Sequence, residues 1–180
     1  RDDTFDDKVV DQFYNSIHTV ASEFHEDSIK LSKGDIAENE FMNKYGHLRP
    51  GTYDITSLRY DHMDIDMFKS KSLFEKGETS SSEYSIKNYY AKINAILEEH
   101  QFRGISAEEF IDYVSKAIKG REYAKFIFTK CLSTIIELIA KYGERNGLSR
   151  EEMSNLDINE LVKMKNTEAI TDSLNKIISA

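Results

Sequence analysis

The sequence has few residues that interrupt a helix: one proline, Pro50, and eight glycines in 180 residues. Runs of β-branched residues with period-two alternation are scarce as well, so the pattern favours helices almost throughout and gives a sheet few places to turn. There is one cysteine, Cys131, which excludes an intramolecular disulfide and with it a small secreted disulfide scaffold. No positively charged start followed by an apolar stretch marks a secretory signal, so the expected compartment is the cytoplasm. The longest apolar run, Thr134-Ile135-Ile136-Glu137-Leu138-Ile139-Ala140, is interrupted by Glu137 and falls far short of the ~20 residues that span a bilayer. Positive charge is also in short supply. The 24 Lys and Arg against 32 Asp and Glu leave a formal charge of -8 with no local basic cluster, which argues against nucleic-acid partners and anionic membrane surfaces.

What is present is enough for a core. Hydrophobic residues make up 39% and charged residues 31%, well clear of the composition of disordered chains. A chain of this length can bury roughly 70% of its unfolded surface. The expectation is an all-α fold, a single helical domain over residues 1–180. Because Arg1 opens directly into helical pattern, the chain reads as a piece of a larger multidomain protein.

The first helix is expected at about residues 4–31, where Phe5, Val9, Phe13, Ile17, Val20 and Phe24 fall at steps of three and four on one stripe. Lys33-Gly34 supplies a stop, Asp35 is placed to cap a short helix through Tyr45, and Gly46 ends it. An irregular stretch over about residues 46–82 follows, carrying Pro50, Gly51, Gly77 and the run Thr79 to Ser82; a loop of that length is usually functional or disordered. Periodicity returns from Tyr84 to Leu97 and fades near His100 to Gly104. Ser106 and Glu109 form a capping box that opens one very long helix, about residues 106–145, with a bend near Gly120. Asn146-Gly147 closes it through a left-handed glycine, and Ser149 with Glu152 and Asp157 with Glu160 start two short helices. A last helix is expected over about residues 168–178.

Chemistry-bearing residues concentrate at Tyr45 to Thr56, where His47, Arg49, Gly51, Thr52, Tyr53 and Asp54 share one turn. Arg49 can clamp a phosphate or carboxylate bidentately, with glycines letting the ligand approach the backbone. In the structural alternative Asp54 pairs with Arg49 and Tyr53 packs inward, holding the loop. Asp61, His62, Asp64 and Asp66 could ligate a hard cation such as Mg²⁺, but the run lacks the glycine and glutamate of a calcium loop, and no metal site is assigned. On the long helix Arg121 and Lys125 lie one turn apart beside Tyr123 and can face an anion together, or Glu122 can pair with them locally. Cys131 reads as a buried structural thiol, and the stripe Phe102, Phe110, Tyr113, Phe126, Phe128 as core.

Two stretches carry a family resemblance. Phe41-Met42-Asn43-Lys44-Tyr45-Gly46-His47-Leu48-Arg49-Pro50-Gly51-Thr52-Tyr53-Asp54-Ile55 resembles the segment that follows the ATP-grasp domain of phosphoenolpyruvate-synthase-like proteins. Gly120-Arg121-Glu122-Tyr123-Ala124-Lys125-Phe126, with Leu148 to Glu152 and Leu156 to Leu161, is similar to the later part of the same helical region. The resemblance covers roughly residues 35–165. It implies a central substrate-handling or linker module of a phosphotransferase that moves a phosphoryl group from ATP, through a phosphohistidine on a swivelling domain, to a small-molecule acceptor. ATP and Mg²⁺ are implied for the parent protein, and the ATP-grasp and phosphohistidine domains are the implied partners. Rifampin phosphotransferases belong to this group, but Leu48 and Thr52 stand where their pattern has arginine and glutamate, which points away from rifampin. None of His18, His25, His47, His62 or His100 sits in the family's Ser-His-Ala-Ala-type context, so the chain itself carries no catalytic residue and no cofactor. The alternative is a non-catalytic helical scaffold or protein-interaction domain.

Overall fold

The computed structural model describes residues 5–69 and 86–159. Among these the fold is all-α, with no strand. The elements in order are α1 (Asp7–Ser16), α2 (Val20–Lys33), α3 (Glu38–Tyr45), a 3₁₀ turn (Tyr60–His62), α4 (Asp66–Lys69), a second 3₁₀ turn (Ile86–Tyr89), α5 (Tyr90–Glu99), α6 (Ala107–Arg145) and α7 (Arg150–Ser154). The chain divides into two compact units, one from Arg1–Ile36 with Asp66–Ile127 and one from Ala37–Ile65 with Phe128–Ala180.

The expected first helix is two. Ile17 leaves α1 in an extended conformation and donates its N–H to the Tyr14 carbonyl, and Thr19 begins α2, its N–H donating to Ser22 Oγ at 3.3 Å. The apolar stripe runs straight through this break, so periodicity alone joins the two segments. Asp35 does not cap α3. Its N–H donates to the Lys30 carbonyl at 2.9 Å, closing α2 behind the left-handed Gly34, while Ala37 stands at the α3 N-cap. The irregular stretch expected from residue 46 contains the first 3₁₀ turn and α4; its remainder from residue 70, the start of the helix expected at Tyr84, and the helix expected over residues 168–178 lie outside the described residues.

In the first unit, Ile93 and Leu97 of α5 and Ala107 of α6 form a buried cluster, with Phe5, Ile86, Tyr89, Tyr90 and Ile111 against it. Asn94 Oδ1 accepts the Ala107 N–H at 2.7 Å, tying the α6 start to α5. Phe24 of α2 meets Phe68 of α4 edge to face, with ring centroids 6.4 Å apart. In the second unit, Phe41 and Tyr45 of α3 are fully buried, their rings 5.0 Å apart. Leu148 and Met153 form a further cluster there with Ile55, Ile139, Tyr142 and Leu156.

α6 is one uninterrupted helix of 39 residues that passes through Gly120. Its Ser106–Glu109 capping box forms as expected, with Ser106 N–H donating to Glu109 Oε2 at 2.9 Å and Glu109 N–H donating to Ser106 Oγ at 3.3 Å. It ends at the left-handed Gly147, where Leu148 N–H donates to the Gly143 carbonyl. The Ser149–Glu152 box then opens α7. Asp157 Oδ1 accepts the Asn159 N–H at 2.9 Å in the manner of an N-cap, and its expected partner Glu160 lies outside the described residues. Cys131 is exposed rather than buried, because its position on α6 is turned from the stripe Ser133, Ile136, Glu137, Ala140 that faces the second unit's interior. Phe102, Phe110, Tyr113 and Phe128 are likewise exposed, not core. No helix among the described residues is long and apolar enough to cross a membrane.

Candidate functional site

The turn that the sequence singles out is fastened at both ends. Tyr60 N–H donates to the Leu48 carbonyl at 2.8 Å and Asp61 N–H to the Gly46 carbonyl at 3.1 Å, so residues 46–61 close on themselves. Gly46 is required by that closure. A Cβ there would lie 2.5 Å from the Met42 carbonyl oxygen and 2.9 Å from Asp61 Cβ. Gly51 is crowded in the same way by Asp54 Cβ at 2.8 Å. Both glycines therefore make room for this chain's own backbone and side chains.

Arg49 is buried, and every N–H of its guanidinium is directed inward. Nη1 donates to the carbonyls of Asp54 (3.1 Å) and Ser57 (2.9 Å), Nε to Ser133 Oγ (3.2 Å), and Nη2 to Ser133 Oγ (3.0 Å) and Glu137 Oε1 (3.0 Å). Glu137 also accepts from Arg150, Oε1 from Nη1 at 3.0 Å and Oε2 from Nη2 at 2.7 Å, and Arg150 Nη1 donates to the Ile55 carbonyl at 3.1 Å. Two arginines thus satisfy three carbonyls of a loop whose Ile55 is packed inside, and one carboxylate holds both arginines. His62 Nδ1 lies 3.8 Å from Glu137 Oε2, at the edge of the cluster.

The electrostatics follow the geometry. The Arg150 hydrogen bonds hold the Glu137 carboxyl below its usual range, against the opposing effect of burial. Burial pulls the Arg49 guanidinium down, while hydrogen bonding to Glu137 raises Arg150. The two arginines differ because Arg49 is the deeper, its side chain 2% exposed against 17% for Arg150. Asp54 does not offer Arg49 its carboxylate. That group accepts the Thr56 hydroxyl at 2.7 Å and the Thr56 N–H at 2.8 Å, and these bonds lower its pKa.

The remaining candidates are dispersed. His47 is buried, Thr52 is half-buried, and Tyr53 does not pack inward but is 76% exposed. Arg121, Tyr123 and Lys125 belong to the first unit, on the open face of α6. Arg121 Nη2 pairs with Glu122 at 2.8 Å and Lys125 with the same carboxylate at 3.5 Å, so the local pairing is the arrangement present. The Asp61 carboxylate is taken by Arg59 in a two-point contact of 3.0 and 2.5 Å. No group of three metal-ligating side chains occurs among the described residues.

Sequence reasoning missed Ser133, Glu137 and Arg150 as partners of Arg49. One signal was available: Glu137 interrupts an apolar run, and a carboxylate on an inward stripe needs a buried cation. The other notable feature is a cavity of about 330 Å³ in the first unit. Val9 and Phe13 of α1, Ile93 and Leu97 of α5, and Phe110 and Ile111 of α6 line it, and among its lining residues only His100 is polar. It can hold an apolar body and offers little chemistry. No family model, curated protein or solved structure matches the chain.

Proposed function

We propose that the chain is the substrate-handling helical module of a phosphoenolpyruvate-synthase-like phosphotransferase, holding an acceptor to which other domains of the parent deliver a phosphoryl group drawn from ATP through a phosphohistidine. The observation that carries this reading is the buried network of Arg49, Glu137 and Arg150. It joins the two stretches that resemble the family, Phe41 to Ile55 and Leu148 to Glu152, across a sequence separation of 95 residues. The resembling residues are thereby those that fix a fold, and Arg49 is a fastening rather than a phosphate clamp. The apolar cavity of the first unit is the place for the acceptor, at a size within the range of small-molecule sites. ATP and Mg²⁺ belong to the parent's other domains.

The test is made in the parent protein with labelled ATP. Phe110→Glu puts a charge into the cavity wall at a position already 37% exposed. Acceptor phosphorylation should fall about 10-fold through a raised KM, with histidine labelling from ATP unchanged. Unchanged acceptor kinetics would remove the cavity from the reading. A reading frame that encodes neither an ATP-grasp domain before this segment nor a histidine-bearing domain after it would remove the phosphotransferase. The second reading, a non-catalytic scaffold, is favoured by the complete internal use of the Arg49 donors, and that last outcome would select it.

A further inference from the structure

We propose that the cavity of the first unit is a site for a small uncharged alcohol, its hydrocarbon body held between the walls and its one hydroxyl at the mouth against His100. The inference deepens the reading of that cavity as the acceptor site and rests on its being a small-molecule site. Ile93 and Leu97, both buried, form its floor, while Val10, Phe102 and Phe110 stand exposed around its rim. Large apolar side chains left open to water are thereby gathered about one hollow, and a ligand that fills it covers floor and rim together. At about 330 Å³ the hollow stands at the lower end of the roughly 300–1,000 Å³ of small-molecule sites and is too small for a long-chain lipid.

The mouth is built by the turn that ends α5. Phe102 N–H donates to the Leu97 carbonyl at 2.8 Å and Gln101 N–H to the Glu98 carbonyl at 3.0 Å, the paired bonds of a Schellman cap, with Gln101 at φ 62° where glycine is usual. That cap sets His100 and Phe102, on either side of Gln101, among the lining residues. His100 is exposed, and its ring makes no hydrogen bond or ion pair among the described residues, so it is open to donate to a hydroxyl or accept from one. Charge decides between a hydroxyl and a carboxylate. Among the described residues no Lys or Arg lines the cavity: Lys92 is engaged over the Phe5 ring, 4.9 Å from its centroid, and Arg103 lines a separate hollow with Glu98 and Glu109. A carboxylate in the cavity is therefore desolvated without a fixed cation, whereas a hydroxyl is satisfied by His100 and water. The hydroxyl is also the uncharged group that gives a phosphoryl acceptor its nucleophilic oxygen.

Isothermal titration calorimetry of the full 180-residue chain with 1-octanol and with octanoate tests it. One saturable site for 1-octanol is expected, with a Kd below about 1 mM, and octanoate should bind at least about 10-fold more weakly. The methyl NMR signals of Val9, Ile93 and Leu97 should shift as the site fills, which places the ligand in the cavity. His100→Phe keeps the rim apolar and removes the hydrogen bond, so it should weaken 1-octanol about 5-fold. His100 is exposed, and the circular dichroism and thermal midpoint of that variant should match the unsubstituted chain, which separates loss of the contact from loss of the fold. No saturable binding, octanoate held as tightly as 1-octanol, methyl shifts confined to other residues, or a His100→Phe chain that binds 1-octanol unchanged overturns the assignment. The titration uses neither ATP nor the parent's other domains. A parent that does not label its histidine from ATP therefore sinks the phosphotransferase and leaves the bound alcohol in place, while a chain that binds no alcohol sinks the ligand class alone.

Discussion

Glu137 stands where two guanidinium groups converge, and its side chain is 7% exposed. Glu137→Gln keeps the shape and removes the charge, leaving Arg49 and Arg150 facing each other in a buried site. The expected cost is about 3 kcal/mol, read as a lowered urea midpoint with an unchanged slope, because breaking a buried ion pair from one side strands the other charges. Arg49→Lys should cost a similar amount. An ammonium has three donors on one nitrogen and cannot reach Ser133, Glu137 and the carbonyls of Asp54 and Ser57 together. A variant of either kind with wild-type stability would show the network to be ornamental. Only half of this arrangement was legible in the sequence. The density of groups around Arg49 marks the turn as unusual, and the Gly46 and Gly51 positions mark close approach. The partners Ser133 and Glu137 lie 84 and 88 residues away, beyond any local spacing rule, and the same features that suggest a ligand clamp serve equally to tie a loop to a helix.

At the scale of elements, the Ser106 and Ser149 caps and the glycine stops at Gly34 and Gly147 were readable, and the break between α1 and α2 was not. Ser106 with Glu109 and Ser149 with Glu152 each satisfy orphan amides reciprocally, and both boxes stand at the positions their spacing predicts. The α1–α2 break was hidden because Phe13, Ile17, Val20 and Phe24 keep helical steps across it, with no glycine or proline to mark the interruption. The Ser149 cap matters beyond its own short helix, since Arg150 at the first position of α7 reaches both Glu137 and the Ile55 carbonyl. Ser149→Ala should therefore lower stability by about 1 kcal/mol, the usual value of an N-cap. Combined with Glu137→Gln, the loss should be smaller than the sum of the two, because a poorly placed Arg150 has less to lose. Strict additivity in that double-mutant cycle would separate the cap from the network.

For the molecule as a whole, the depressed carboxyl groups act in one direction. Asp54, Glu109, Glu122, Glu137 and Glu152 all hold their protons less tightly than usual, the first through Thr56, the second and last through Ser106 and Ser149, Glu122 through Arg121, and Glu137 through Arg150. A carboxyl depressed in the folded state contributes stability above its unfolded pKa, about 4, and loses that contribution as pH falls through the lower folded value. In that window the unfolded chain binds more protons, so acid favours unfolding. Charge repulsion adds to it, since neutralising the 32 acidic residues leaves 24 Lys and Arg and five His unopposed. Urea midpoints should hold steady from neutral pH to about pH 5 and then fall steeply toward pH 3, and the fall should be shallower in Glu137→Gln, whose most deeply placed acid no longer titrates. The four other carboxylates are more exposed, screened by solvent, and set only the residual slope. If the substituted and unsubstituted chains lost stability in parallel as the solution is acidified, Glu137 would be a bystander and the surface acids would set the acid limit of the fold.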